Sequence, residues 1–327
     1  MSAPHTPVLI DRCVQLLTDT PAGPYVDATL GAAGHASAVL AARAARHGSA
    51  HLIGIDRDPL AHRLAGERLA AIGNASISYE LHEARFDAMG DVLDAAGVDQ
   101  VAAILLDLGL SSMHVDLAER GFSYRQDGPL DMRMGPDAPR TADDIVNGYD
   151  YGSLARVLRE FGEEKFASRI TRAIIAARPL TSTVELANVV RDAIPQAARR
   201  TGGHPATKTF QALRIEVNGE LEAVERVLPI AIDRLMPGGV IVVLAYHSLE
   251  DRLVKRAFTD AATGCVCPPG FPVCACGRVP ILDIVVRKPE RPADAEVEVN
   301  RRASAARLRA AQRTDAPLRQ NQQSEPR

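Results

Sequence analysis

Three aspartates close short apolar runs: Asp27 in Tyr25-Val-Asp-Ala-Thr-Leu30, Asp56 in His51-Leu-Ile-Gly-Ile-Asp56, and Asp107 in Val101-Ala-Ala-Ile-Leu-Leu-Asp107. Carboxylates accept hydrogen bonds from hydroxyls and amines, and three of them clustered without a ligand would repel one another. After the first comes Gly31-Ala-Ala-Gly34-His35. Glycines there let backbone N–H groups approach a ligand at a helix N-terminus, or serve only a tight turn. Asp56 follows Gly31 by 25 residues, close to the separation at which an acid meets ribose hydroxyls. The dinucleotide pattern Gly-x-Gly-x-x-Gly lacks its middle glycine, which disfavours a nicotinamide dehydrogenase and favours an adenosine ligand without phosphates. S-adenosylmethionine is such a ligand. Asp107 has two readings, an N-cap for the next segment or an acceptor facing cofactor or substrate.

Strands are needed to bring these acids together. The runs at 25–30, 51–56, 77–81 and 101–107 alternate with Ala-, Leu- and Arg-rich segments at helical spacing, such as 36–46 and 59–71. That alternation predicts βαβ units and a mostly parallel, Rossmann-like α/β sheet. After Leu110 a Gly-, Asp- and Pro-rich loop at 111–140 leads into helical patterns at 142–146, 152–161, 164–177 and 183–193 without a convincing strand. The α/β pattern resumes with a long helix over 216–236, a stop at Pro237-Gly-Gly239, a strand over 240–245, a helix over 249–258 and a last strand at 281–286. The expected organisation is a discontinuous α/β domain (1–112 and 216–300), an inserted helical substrate-recognition domain (113–215) and a basic, partly disordered tail (301–327).

With 327 residues, 38 Lys+Arg against 41 Asp+Glu, a net charge of −3 and 46% hydrophobic residues, the chain has enough apolar content for about two domains. No signal peptide or membrane-spanning run is evident, so a cytoplasmic protein is expected. The near-neutral charge restricts any nucleic-acid contact to a local patch. Between Ala193 and Arg214 stand Arg199, Arg200, Lys208 and Arg214 with no acid, either an RNA footprint or a solvated face. Phe122 and Tyr124, beside Arg120 and Arg125, are placed to stack on an extruded base or to anchor their loop on a core. Cys265, Cys267, Cys274 and Cys276 fall within twelve residues. Four thiols can surround zinc, but Cys-x-Cys twice is not the usual Cys-x-x-Cys, so reduced thiols without metal are the favoured reading.

The blocks His5-Thr-Pro-Val-Leu9, Tyr25-Val-Asp-Ala-Thr-Leu-Gly-Ala-Ala-Gly-His35, Gly54-Ile-Asp-Arg-Asp58, Leu106-Asp-Leu-Gly-Leu-Ser-Ser112, Ala118-Glu-Arg-Gly-Phe-Ser-Tyr124, Gly128-Pro-Leu-Asp-Met-Arg-Met134, His204-Pro-Ala-Thr-Lys-Thr-Phe-Gln-Ala-Leu-Arg214 and Tyr246-His-Ser-Leu-Glu-Asp251 closely resemble the RsmH (MraW) family of bacterial methyltransferases, from His5 to about Arg309. The resemblance implies a class I S-adenosylmethionine-dependent fold, methylation of N4 of a cytidine in the decoding region of 16S rRNA, and the small ribosomal subunit as partner of a monomer or homodimer. It implies cofactor contacts at Ala33, Gly34, His35, Asp56, Phe86, Asp107 and His114, with Phe86 beside the adenine. Ala33 replaces a common glycine, which suggests that φ is not positive there. Asp107 is the first candidate to accept the proton of the methylated amine, and His247 with Ser248 the second group. Ser248 with Asp251 also resembles a helix capping box. The rival reading is a non-catalytic, cofactor-binding ribosome-assembly factor.

Overall fold

Residues 7–110, 115–199, 204–268 and 273–317 are described by the computed structural model, in which the chain forms two compact units. The first comprises Met1–Gly109 with Ala223–Arg327 and the second Leu110–Glu222. His114 and Arg200 lie outside the described residues, as do the last ten of the chain.

In the first unit, β1 (Tyr25–Asp27), β2 (Ala50–Asp56), β3 (Ile77–Glu83), β4 (Val101–Asp107), β5 (Leu235–Ala245), β6 (Leu282–Ile284) and β7 (Arg307–Arg313) form one sheet in the order β3-β2-β1-β4-β5-β7-β6. The first five pair in parallel, and β7 runs antiparallel to both its neighbours. Successive side chains of a strand point to opposite faces. Val26, Ile53, Ile104, Leu106, Ile241 and Val243 therefore pack into one layer with α4 (Met89–Ala95), α11 (Glu220–Arg234) and α12 (Ser248–Ala262). Tyr25, Leu52, Ala103, Leu105, Val242 and Leu244 pack into the other with α1 (Ile10–Thr18), α2 (Gly34–His47) and α3 (Pro59–Ala70). Both faces are covered, which explains why β4 reads as an unbroken apolar run. This is the mostly parallel, Rossmann-like sheet expected from the sequence.

Three details differ from the sequence reading. The long helix expected over 216–236 is two: α10 (Thr207–Asn218) ends at Gly219, whose φ of 59° is the left-handed turn of a helix C-terminus, and α11 starts at once. Helix α12 begins one residue before the expected start and runs four beyond the expected end. The stretch from 301 is not a tail as far as 317, because β7 completes the sheet. Its leucine and alanines are buried, and two of its three arginines are spent inside the protein: Arg309 bonds Asp251 and Arg313 bonds the Ile281 carbonyl.

In the second unit, α5 (Ala142–Gly148), α6 (Tyr151–Glu160), α7 (Ala167–Ala177), α8 (Thr183–Ala193), α9 (Gln196–Arg199) and α10 surround a core containing Ile145, Leu154, Leu158, Ile170, Leu186 and Leu213. Side-chain N-caps start α5 at Thr141, α6 at Asp150 and α8 at Ser182. No described helix of the chain is long and apolar enough to cross a membrane.

The entry to β1 depends on one buried cation. Arg43 of α2, 1% exposed, donates to Thr20 and to the carbonyls of Leu17, Pro21 and Gly23, so the connection from α1 to β1 folds around its guanidinium. Arg43→Met leaves those buried acceptors unpaired and should cost about 3 kcal/mol. Urea denaturation checks this, and a loss below about 1 kcal/mol would show that water replaces the guanidinium.

Candidate active site

The three acids meet at the carboxyl ends of β1, β2 and β4, and each is handled differently. Asp27 is 1% exposed, accepting from the Thr29 N–H at 3.2 Å and the Tyr25 hydroxyl at 3.3 Å. Burial pushes its pKa up to about 7, reinforced by Asp107, while His35, the Thr29 N–H and the Tyr25 hydroxyl pull it down. Asp56 is half-buried and accepts from the N–H of Gly31 at 2.8 Å and of Asp58 at 2.9 Å. Asp107, with 26% of its side chain exposed, accepts from the Tyr246 hydroxyl at 2.8 Å and lies 3.6 Å from His35 Nδ1. Its own N–H donates to Thr29 Oγ1 at 2.6 Å, which ties the glycine turn to β4.

His35 is oriented from both sides. Its Nε2 stands 2.9 Å from the Val8 carbonyl, which only accepts, so Nε2 carries a hydrogen and Nδ1 faces Asp107. Burial first, then the charge of Asp107, raises the pKa values of the Tyr246 hydroxyl and the Cys13 thiol. Tyr246 therefore remains a donor at neutral pH. Its ring also dictates Gly109: a Cβ there would sit 2.9 Å from the Tyr246 ring, at a backbone φ of 110°.

Three features of the glycine turn come with folding, and the last, at Ala33, departs from the sequence reading. The Gly31 N–H is directed at Asp56, so turn and acid are parts of one hydrogen-bonded structure. At Gly34 the close neighbour is Pro7, whose Cγ would be 2.6 Å from an added Cβ. Ala33, expected to avoid positive φ, has φ 56° and ψ 34° at the N-cap of α2. That conformation costs an alanine roughly 1–2 kcal/mol, and its fully buried methyl in the core with Leu30 and Ala36 offsets part of it. Phe86 opens a single turn of 3-10 helix after β3 and packs partly buried against the core, beside the edge that carries Asp56.

His247, not Ser248, caps α12: its Nδ1 accepts from the Glu250 N–H, and Glu250 Oε2 accepts from the N–H groups of Tyr246 and His247. Its Nε2 lies 3.1 Å from Glu250 Oε1, out of line for a hydrogen bond. Both ring nitrogens thus face Glu250, and the imidazole, 8% exposed, serves the cap through Nδ1. Ser248 follows as the first helical residue.

In the second unit several candidate RNA contacts also have partners within the protein. Arg214 is buried in a two-pronged ion pair with Glu220, both bonds 2.8 Å, and Phe122 is a core residue at 7% exposure. Arg199 donates to the Ile194 and Asp192 carbonyls at the end of α8 while keeping 31% of its side chain exposed. Exposed Lys208 donates to the Glu163 carbonyl. Tyr124 stacks on His204, rings 4.3 Å apart and 10° from parallel, with Phe210 edge-on below and Arg125 6.0 Å from the Tyr124 ring. The sequence reading missed His204 and Tyr246, since only folding sets each ring against its partner.

The sequence model of the MraW methylase family matches residues 2–314. The protein named ribosomal RNA small subunit methyltransferase H from Acidothermus cellulolyticus is 54% identical, over 94% of this chain and 93% of its own length. The like-named protein of Heliobacterium modesticaldum is 46% identical over 94% and 98%. Among solved structures, an rRNA methylase from Streptococcus thermophilus aligns over 94% of both chains at 11% identity with a TM-score of 0.40, too shallow a likeness to bear on function.

The elevated Asp27 pKa has a measurable consequence. Free aspartate titrates at 3.8 and Asp27 at about 7, so between those values the folded chain holds the extra proton and the contribution to stability falls as pH rises. Asp27→Asn removes that loss. The variant's urea midpoint should gain on the wild type from about pH 5 to about pH 8; a constant difference would show that Asp27 is ionised throughout.

Proposed function

The chain belongs to the MraW methylase family, and on that premise we propose that it transfers a methyl group from S-adenosylmethionine to N4 of a cytidine in the decoding region of 16S rRNA, position 1402 in the usual rRNA numbering. A methylase of this family uses S-adenosylmethionine and acts on small-subunit ribosomal RNA. Its expected setting is the cytoplasm, where small subunits assemble. The observation that carries the reading is the acidic edge itself. Asp27, Asp56 and Asp107 close neighbouring strands of one sheet. Such an edge favours a ligand with ribose hydroxyls and positive groups over one with a pyrophosphate.

The residues fit that cofactor by the chemistry of their donors and acceptors. Asp56 is the acceptor for ribose hydroxyls, held in place by the Gly31 N–H. Phe86 offers an apolar side to the adenine, and Ala33, Gly34 and His35 form the turn beneath. When bound, the cofactor supplies an electrophilic methyl group. The cytosine amine is conjugated with its ring and is a weak nucleophile, so the protein must orient it and accept its hydrogens. Asp107 is proposed for that work. Tyr246 fixes one carboxylate oxygen and His35 stands behind the other, so the carboxylate cannot swing away. After transfer the nitrogen is strongly acidic, and Asp107 or solvent takes the proton.

For RNA, the reading rests on the exposed edge of the second unit where His204 lies flat on Tyr124 near Arg125, with Lys208 one helical turn further along. Burial, then the charges of Arg125 and Arg191, lowers the His204 pKa, which keeps its ring neutral and suited to stack on a base.

Labelled S-adenosylmethionine with small subunits lacking the modification tests the reading: label should appear on the cytidine N4, and cofactor binding without incorporation would favour the assembly-factor rival. Asp107→Ala, shown to be folded, should slow single-turnover transfer at saturating cofactor by about a hundredfold or more, and unchanged transfer would remove Asp107 from the chemistry. His204→Ala should weaken subunit binding by about 1–3 kcal/mol while leaving cofactor affinity intact, and unchanged subunit binding would exclude the stacked pair.

A further inference from the structure

The methyl-transfer reading makes no use of the connection between α12 and β6, where four cysteines stand apart from the acidic edge in the chain. The connection is anchored at its ends: Arg278 donates to the carbonyl and carboxylate of Asp260, and the Ile281 N–H to the Ala261 carbonyl. Between those anchors, among the described residues, Val266, Val273 and Val279 are 54%, 74% and 41% exposed. Yet the sulfurs of Cys265, Cys267, Cys274 and Cys276 all lie within 4.8 Å of one another. Cys274 Sγ is 3.4 Å from Cys265 and 3.5 Å from Cys276, and Cys276 Sγ is 3.7 Å from Cys265.

A disulfide needs about 2.05 Å between sulfurs. A tetrahedral zinc ion with Zn–S bonds of about 2.3 Å places its sulfurs about 3.8 Å apart. The observed separations match the second geometry. The Val266 N–H points at Cys276 Sγ at 3.5 Å, and Gly277, with φ 61°, makes the left-handed turn that comes next.

We propose that Cys265, Cys267, Cys274 and Cys276 bind one Zn2+ as a tetrathiolate site that gives this connection its shape. Sequence spacing alone favours metal-free thiols, but folding makes each Cys-x-Cys pair one half of a tetrahedron. Binding breaks four S–H bonds and forms four Zn–S bonds, with the protons released to solvent.

Full-length protein expressed with added zinc and purified without chelators, under reducing conditions, should carry about one zinc per chain by elemental analysis. Exchange for Co2+ should give the sulfur-to-cobalt charge-transfer band and strong visible bands of a tetrahedral thiolate site. Cys265→Ser with Cys274→Ser should abolish both signals, while Cys13→Ser, whose thiol lies in the core, keeps them. Chelation should speed proteolysis between Ala262 and Leu282, and zinc should reverse it. Folded, reduced wild type that retains no zinc and develops no cobalt–thiolate bands overturns the proposal. So does stoichiometric iron, or zinc that survives the double substitution.

Discussion

Three carboxylates converging on one sheet edge set the terms for the first unit. Gathered side by side they repel, so the fold offsets that repulsion by a different means at each. Asp27 is buried until it keeps a proton near neutrality. Asp56 receives backbone N–H groups from the glycine turn and from the start of α3. Asp107 receives the Tyr246 hydroxyl and faces His35. These arrangements draw on β1, β2, β4, the end of β5 and the first turn of α2. The edge is therefore a structural junction, and the glycine turn belongs to it.

The alternating pattern and the acids at the strand ends are readable because each is a local property. A buried parallel strand must be apolar along its length and stop where the ligand edge begins, and β4 shows this in seven residues. What sequence conceals depends on partners far away in the chain. Ala33 accepts a left-handed backbone because its methyl is enclosed by Leu30, Ala36 and their neighbours. Strand β7 carries three arginines in seven residues and looks like a solvated tail, although Arg309 and Arg313 end on Asp251 and the Ile281 carbonyl. The capping box at α12 lies one residue earlier than a serine preference suggests, since an imidazole nitrogen accepts as well as a hydroxyl does.

Arginine is the residue type whose role sequence hides most often. In the acid-free stretch before Arg214, charge alone suggests a surface for phosphates. Guanidinium groups also satisfy helix-end carbonyls and buried carboxylates, and Arg199 and Arg214 do so here. Arg43 does the same for the loop that enters β1. The flat Tyr124–His204 pair is set instead by ring geometry, which residues eighty positions apart in the chain cannot reveal by pattern.

The sheet order also carries a schedule. Strand β5 ends at residue 245, but its neighbour β7 starts only at residue 307. During synthesis the helices of the second unit emerge complete while β5, an apolar strand, still has one edge without a partner. At ~5–20 residues per second the intervening 61 residues take on the order of 3–12 s. An open, hydrophobic strand edge is a template for pairing with other chains. The nascent protein is thus most prone to mispairing in those seconds on the ribosome, before β7 closes the gap.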